Sequence, residues 1–159
     1  MLRTLVAGLL FLLSVLAVGA SARGEAPQPP KLRLGDAAMP LRYSARLRVM
    51  PQDPTFTGAI DIDLTLKAPA TVVWLNGTHL TVAAASFEVG GKTVPARPVA
   101  GDENFIGFSV DAPLPAGRTR LHVEYSGTVS RKDDRGMFAQ KEGDHWYALT
   151  QLVAISARR

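Results

Sequence analysis

Three histidines and two closely spaced aspartates are the side chains in these 159 residues best suited to hold a metal or move a proton. His79, His122 and His145 lie on separate segments, so no two stand at the i, i+4 spacing that puts paired imidazoles on one helix face for zinc. The chain has no cysteine, which removes thiolate ligands and thiol nucleophiles together. His122 alternates with apolar neighbours and is expected on an exposed strand face; His145 opens an aromatic strand. Asp61 and Asp63 share one face of a strand, the arrangement of an acid and base pair, but a solvated strand face explains them with fewer assumptions. No Gly-x-Ser-x-Gly elbow and no Gly-rich phosphate loop occurs, because Gly90-Gly91 has the flanks of a hairpin turn and no following helix. The residues therefore assign no catalytic group and no metal ligand.

Three further motifs have structural readings. Asn76-Gly77-Thr78 fits a glycosylation acceptor and also a turn between strands, and the turn is preferred. Trp74, among Val72, Val73 and Leu75, is expected to pack in a core. Arg131-Lys132-Asp133-Asp134-Arg135, the densest charge run, nearly cancels itself and reads as a solvated loop. The net charge of +4 is scattered, with no basic stripe, so nucleic acid is not an expected partner.

The elements that would position these residues are strands. Tyr43, Ala45, Leu47 and Val49 alternate with Arg42, Ser44, Arg46 and Arg48; Ile60, Ile62, Leu64 and Leu66 alternate with Asp61, Asp63, Thr65 and Lys67. A period of two puts one set on each face, and the acidic face of the second strand is placed to pair with the arginines of the first. Further strands are expected over 71–75, 79–83, 86–89, 92–99, 105–111 and 118–125, with a hairpin at Gly90-Gly91 and a turn at Pro113-Leu114-Pro115-Ala116-Gly117. No sustained 3.6-residue period appears. The fold class is all-β, an antiparallel curved sheet or β-sandwich.

The N-terminus sets the compartment. Arg3 precedes an almost wholly apolar run over 5–18, and Ala20-Ser21-Ala22 has the small-x-small form of a cleavage site. A signal peptide over 1–22 is expected, with cleavage before Arg23; the rival, an uncleaved anchor, has a run shorter than the roughly 20 residues that span a bilayer core. Residues 23–38, rich in proline, read as a flexible linker, and residues 39–159 as one domain. The product is expected to be secreted or periplasmic, with no stable membrane anchor.

Several motifs then fall in a familiar order. Met39-Pro40-Leu41-Arg42-Tyr43, Phe56-Thr57-Gly58-Ala59-Ile60-Asp61-Ile62, Trp74-Leu75-Asn76, Leu114-Pro115-Ala116-Gly117, Leu121-His122-Val123-Glu124-Tyr125-Ser126-Gly127, Arg135-Gly136-Met137-Phe138, Tyr147-Ala148-Leu149-Thr150-Gln151 and Ala157-Arg158-Arg159 occur in sequence. Together they resemble the N-terminal domain of aminopeptidase N-like zinc metallopeptidases, peptidase family M1. The resemblance implies a saddle-like β domain lying against a thermolysin-like catalytic domain, in an enzyme that removes single residues from peptide N-termini. It also implies that the zinc, its H-E-x-x-H helix and the rest of the catalytic centre belong to a catalytic domain downstream. This sequence contains no H-E-x-x-H, so the chain is expected to be a front portion, inactive alone, whose partners are that catalytic domain and the peptide substrate's N-terminus. One position carries over as substrate-binding: Gln151 matches the family glutamine that lines the pocket for the first substrate side chain. Leu152 replaces the family's phenylalanine, and Val153 stands where the family commonly has a glutamate for the substrate's amino group. A different class remains open, a freestanding secreted β-sandwich that binds a ligand or mediates adhesion.

Overall fold

A computed structural model describes residues 28–134 and 136–151. The signal-like segment 1–22, residues 23–27 of the linker, Arg135 and residues 152–159, which include Leu152 and Val153, lie outside the described residues. The described chain is all-β: β1 (Ala38–Arg48), β2 (Thr55–Leu66), β3 (Ala70–Asn76), β4 (Thr81–Val89), β5 (Lys92–Pro95), β6 (Arg97–Ala100), β7 (Phe105–Leu114), β8 (Gly117–Thr128), β9 (Gly136–Glu142) and β10 (His145–Gln151). They form a five-stranded sheet in the order β1-β2-β8-β4-β5, a three-stranded sheet in the order β3-β7-β6, and the hairpin β9-β10. Every pairing between these strands is antiparallel.

The core follows from the period of two. Ile62, Leu64 and Leu66 of β2, Leu121 and Val123 of β8 and Phe87 of β4 point from the large sheet toward Val73, Phe108, Val110 and Leu114 of the small one. Phe87 and Leu121 are completely buried. Thr119 joins them by donating its hydroxyl to the Glu88 carbonyl at 2.9 Å, so its burial leaves no unpaired polar group. Trp74 is not part of this layer: Val73 and Leu75 take the inward positions, and alternation turns the indole to the other face of the small sheet, over Gly107.

Several strand boundaries differ from the sequence reading. The stretch 92–99 divides into β5 and β6, which belong to different sheets; Ala96 is buried where the chain crosses between them and bonds the Ala85 carbonyl. The expected strands at 79–83 and 86–89 are one strand, β4, continuous through an irregularity between Val82 and Ala84. Gly90 and Gly91 both have positive φ, the two-residue turn whose twist suits a hairpin. Asn76 ends β3 and Gly77 begins the link to β4 in the other sheet, where the left-handed residue is His79 (φ 56°).

Burial is unequal along the large sheet. The small sheet covers one end, while at the other Leu41, Tyr43 and Leu47 of β1 remain about half exposed. Here aromatic rings cover glycines on the facing strand. Phe56 is in register with Gly127 and Tyr125 with Gly58, and the two rings meet edge to face at 6.3 Å. A Cβ on Gly58 would fall 2.7 Å from the Tyr125 ring, so only glycine lets the ring lie down there. The resulting desolvation raises the Tyr125 phenol above its ordinary range.

Candidate functional site

The open end of the sandwich forms a cleft of about 950 Å³. Phe56 and Gly127 contribute to its wall, with His79, Asn104, Ser130 and Arg131 among the polar residues around it. Short backbone links hold the contributing loops together. Gly77 N–H donates to the Asn104 carbonyl at 3.1 Å, and Val129 N–H to the Pro54 carbonyl at 2.8 Å. Asn104 N–H donates to Asp102 Oδ1 at 3.0 Å, a local turn that fixes the link between β6 and β7. Ser130 Oγ accepts from Lys132 N–H (3.3 Å) and Asp133 N–H (3.2 Å) and donates to Asp133 Oδ1 (3.0 Å), folding the charged loop back on itself.

That loop leads into the hairpin carrying Gln151. Ser130 N–H bonds the Met137 carbonyl at 2.9 Å and Ala139 N–H bonds the Ser130 carbonyl at 2.8 Å, seating β9 against the end of β8. Phe138 and Ala139 are buried at this junction. Arg131, exposed as expected of a solvated loop, also places its guanidinium 4.4 Å from the Trp146 ring centre and donates to the Gln52 carbonyl. It ties β10 to the turn between β1 and β2 through a cation–π contact. Gln151 pairs with Gly136 and Thr150 with Met137, and both Gly136 and Met137 line the cleft. The register therefore places the exposed Gln151 opposite a cleft-lining residue, with an amide chemically able to donate and accept. Composition and periodicity did not single out this residue; only the motif resemblance did.

Of the other candidates, His79 borders the cleft and the rest do not. Asp61 and Asp63 lie on the outer face of the large sheet, as alternation requires; their hydrogen-bond partners come from β8, while Arg42 of β1 stands in register with Asp63 and adds its charge, as the pairing with β1 predicts. Asp61 Oδ1 is 2.7 Å from His122 Nδ1, and Asp63 Oδ1 accepts from Arg120 Nε at 2.6 Å. His122 is thus half-buried in a strand-face pair, with Glu124 Oε1 3.6 Å from its other nitrogen. His79 is in the link between β3 and β4, and His145 begins β10. Among the described residues no group of three His, Asp or Glu side chains could hold a metal ion. His122 meets carboxylates on both ring nitrogens in a hydrogen-bonded strand face, so these residues do not fit a zinc centre.

The Arg120 hydrogen bond holds the Asp63 carboxyl below its ordinary value of 3.8, and the Arg120 charge adds to the effect. A depressed carboxylate stabilises the fold above its unfolded pKa, and that contribution disappears as pH falls through the folded value. Asp63→Asn should therefore flatten the acid limb of the stability curve below about pH 4. Urea unfolding from pH 6 to pH 2 would check this; an acid limb as steep as the parent's would contradict it.

Comparison with known proteins gives a consistent picture. Residues 39–159 match the Peptidase M1 N-terminal domain family. The chain is 30% identical over 130 residues to aminopeptidase M1-C of Oryza sativa subsp. japonica, covering 80% of this chain and 15% of that protein. It is 32% identical over 133 residues to aminopeptidase M1-B of the same organism, with 80% and 15% covered. It is 28% identical over 146 residues to aminopeptidase M1-D, with 90% and 16% covered. The chain thus spans about 15% of the length of these relatives.

Proposed function

This chain belongs to the peptidase M1 N-terminal domain family, and from that premise we propose that it is the scaffold and substrate-cleft domain of a secreted zinc aminopeptidase. In this reading the zinc and the bond-breaking groups lie in a catalytic domain of the same polypeptide. The domain contributes a wall of the cleft that receives the peptide's N-terminal residue. The observation that supports the reading is the register of β10 on β9, which pairs Gln151 with Gly136, a residue of the cleft wall. The half-exposed apolar side chains of β1 support a domain that lives against other protein surface, more than a freestanding adhesion or ligand-binding module. Secretion or a periplasmic location rests on the signal-like segment 1–22.

The 159-residue chain alone should release no amino acid from an aminoacyl p-nitroanilide. Residues 39–159 exchanged for the matching region of rice aminopeptidase M1-C should leave a chelator-sensitive aminopeptidase. In that chimera Gln151→Ala should raise KM roughly 3- to 10-fold with a smaller change in kcat, the loss expected for one neutral hydrogen bond in substrate binding. Chelator-sensitive turnover by the chain alone, or a zinc-loaded but inert chimera, would overturn the reading.

A further inference from the structure

Asn76 and Asn104 are the two asparagines of the chain, and Asn76 alone is followed by glycine. An asparagine side chain can be attacked at Cγ by the backbone nitrogen of the next residue, and a glycine there presents no side chain to obstruct the approach. Asn76 is exposed at the end of β3, and no described residue hydrogen-bonds its carboxamide. The glycine after it answers a packing need. A Cβ on residue 77 would fall 3.0 Å from Ile106 Cγ2, so a side chain here would press on the strand that β3 pairs with. The link between the sheets therefore carries a chemically labile pair.

The fold restrains this chemistry at two points. Asn76 is in register with Phe105, and the extended ψ of a strand, about +135°, keeps the Gly77 nitrogen out of line with Cγ. The nitrogen is also engaged, since Gly77 N–H donates to the Asn104 carbonyl at 3.1 Å. That carbonyl is set in turn by the link between β6 and β7. Asn104 N–H donates to Asp102 Oδ1 at 3.0 Å, Phe105 N–H to the Asp102 carbonyl at 3.3 Å and Gly101 N–H to the Phe105 carbonyl at 3.1 Å. The pairing of β3 with β7 ends here, and the end of a ladder opens at lower cost than its middle.

We propose that Asn76 is a deamidation site gated by the β6–β7 link. When the bond from Gly77 to Asn104 opens, the Gly77 nitrogen gives up its proton and bonds to Asn76 Cγ. The bond from Cγ to the side-chain nitrogen breaks, and ammonia leaves with that proton, closing a succinimide. Water then cleaves one of the two imide bonds. Cleavage at Cγ gives aspartate; cleavage at the backbone carbonyl gives isoaspartate, whose main chain runs through Cβ and Cγ and is one carbon longer. Both products add a negative charge at residue 76. Thr78, His79 and Leu80 follow directly and line the large cleft, so the isoaspartyl form displaces part of its wall. The reaction needs water and no partner surface, and the proposal stands independently of the aminopeptidase reading.

The test incubates the 159-residue chain at about pH 8 and 37 °C beside a blocked peptide of residues 72–80, and maps aspartate and isoaspartate by proteolysis and mass spectrometry. Both products should accumulate at residue 76 and neither at residue 104. The chain should react about fivefold or more slowly than the peptide, the factor set by one neutral hydrogen bond that must open. Asp102→Ala should speed the reaction in the chain roughly 2- to 10-fold, because the Asn104 N–H loses its side-chain partner. Asp63→Asn, which removes an ion pair from the large sheet, should leave the rate unchanged, as local opening requires. An unreacted chain beside a converted peptide, equal rates in chain and peptide, no response to Asp102→Ala, or an equal response to Asp63→Asn would each overturn the proposal.

Discussion

Phe87→Ala should lower the unfolding free energy by about 3–5 kcal/mol, the loss expected when a fully buried phenyl leaves a cavity that its neighbours fill only in part. Phe87 has no exposed surface and sits in the middle of the large sheet, in register with Val94 on β5 and Leu121 on β8. Its ring is part of the layer that receives Val73 and Phe108 from the small sheet, so truncation weakens the contact between sheets as well as the packing within one. Such a loss is a large share of the roughly 5–15 kcal/mol that holds an ordinary domain together. In a domain of this size the melting temperature would drop by about 10–20 °C. Tyr43→Ala provides the contrast: at 58% exposure the side chain has little burial to lose, and its removal should change stability by no more than about 0.5 kcal/mol. Equal destabilisation by the two variants, measured by denaturant unfolding, would mean that the core does not lie between these sheets.

The same pair of residues marks how far the sequence could be read. Alternation put Ile62, Leu64 and Leu66 on one face of β2 and Asp61 and Asp63 on the other, and both assignments hold. It equally put Tyr43 and Leu47 on an inward face of β1, which is also correct, yet they are not buried. Period fixes direction but not cover; cover depends on how far the small sheet reaches, a property of the whole topology. The division at Ala96 was hidden for a related reason. Lys92 to Val99 keeps one strand-like composition while the chain changes sheets, and the small buried alanine at the crossing carries no turn signal.

At the candidate site, local chemistry could be read and partners could not. Asp61 and His122 are 61 positions apart, and only the β2–β8 register shows that each occupies the other. Arg131 lies in a charge run whose composition indicates solvent, and it is exposed, but only the folded hairpin shows that Trp146 lies against it. Gln151 has no distinguishing chemistry among exposed amides; its pairing with the cleft-lining Gly136 arises from hairpin register, and the sequence pointed to it only through the order of surrounding motifs.

Gly127→Val should cost about 1–3 kcal/mol and deform the cleft, because the position beside Phe56 is already filled. A Cβ at residue 127 would lie 2.5 Å from Phe56 Cε1 and 2.6 Å from Cζ, well inside contact distance. The backbone there is held by its pairing with Phe56 of β2 and, one residue earlier, by the pairing of Ser126 with Thr81 of β4, so the ring must give way. Moving it breaks the edge-to-face contact with Tyr125 and displaces a side chain that lines the cleft. The strain is local to one ring, and Phe56→Ala should relieve it. The double variant Gly127→Val/Phe56→Ala should therefore be less destabilised than the sum of the two single changes, with a coupling of roughly 1 kcal/mol or more. Denaturant unfolding of the four proteins in the cycle measures that coupling. Strict additivity would show that the ring does not lie over Gly127. If the coupling is found, the glycine is there to admit the ring, and Phe56 at this end of β2 shapes the cleft whose wall includes Gly136, the β9 partner of Gln151.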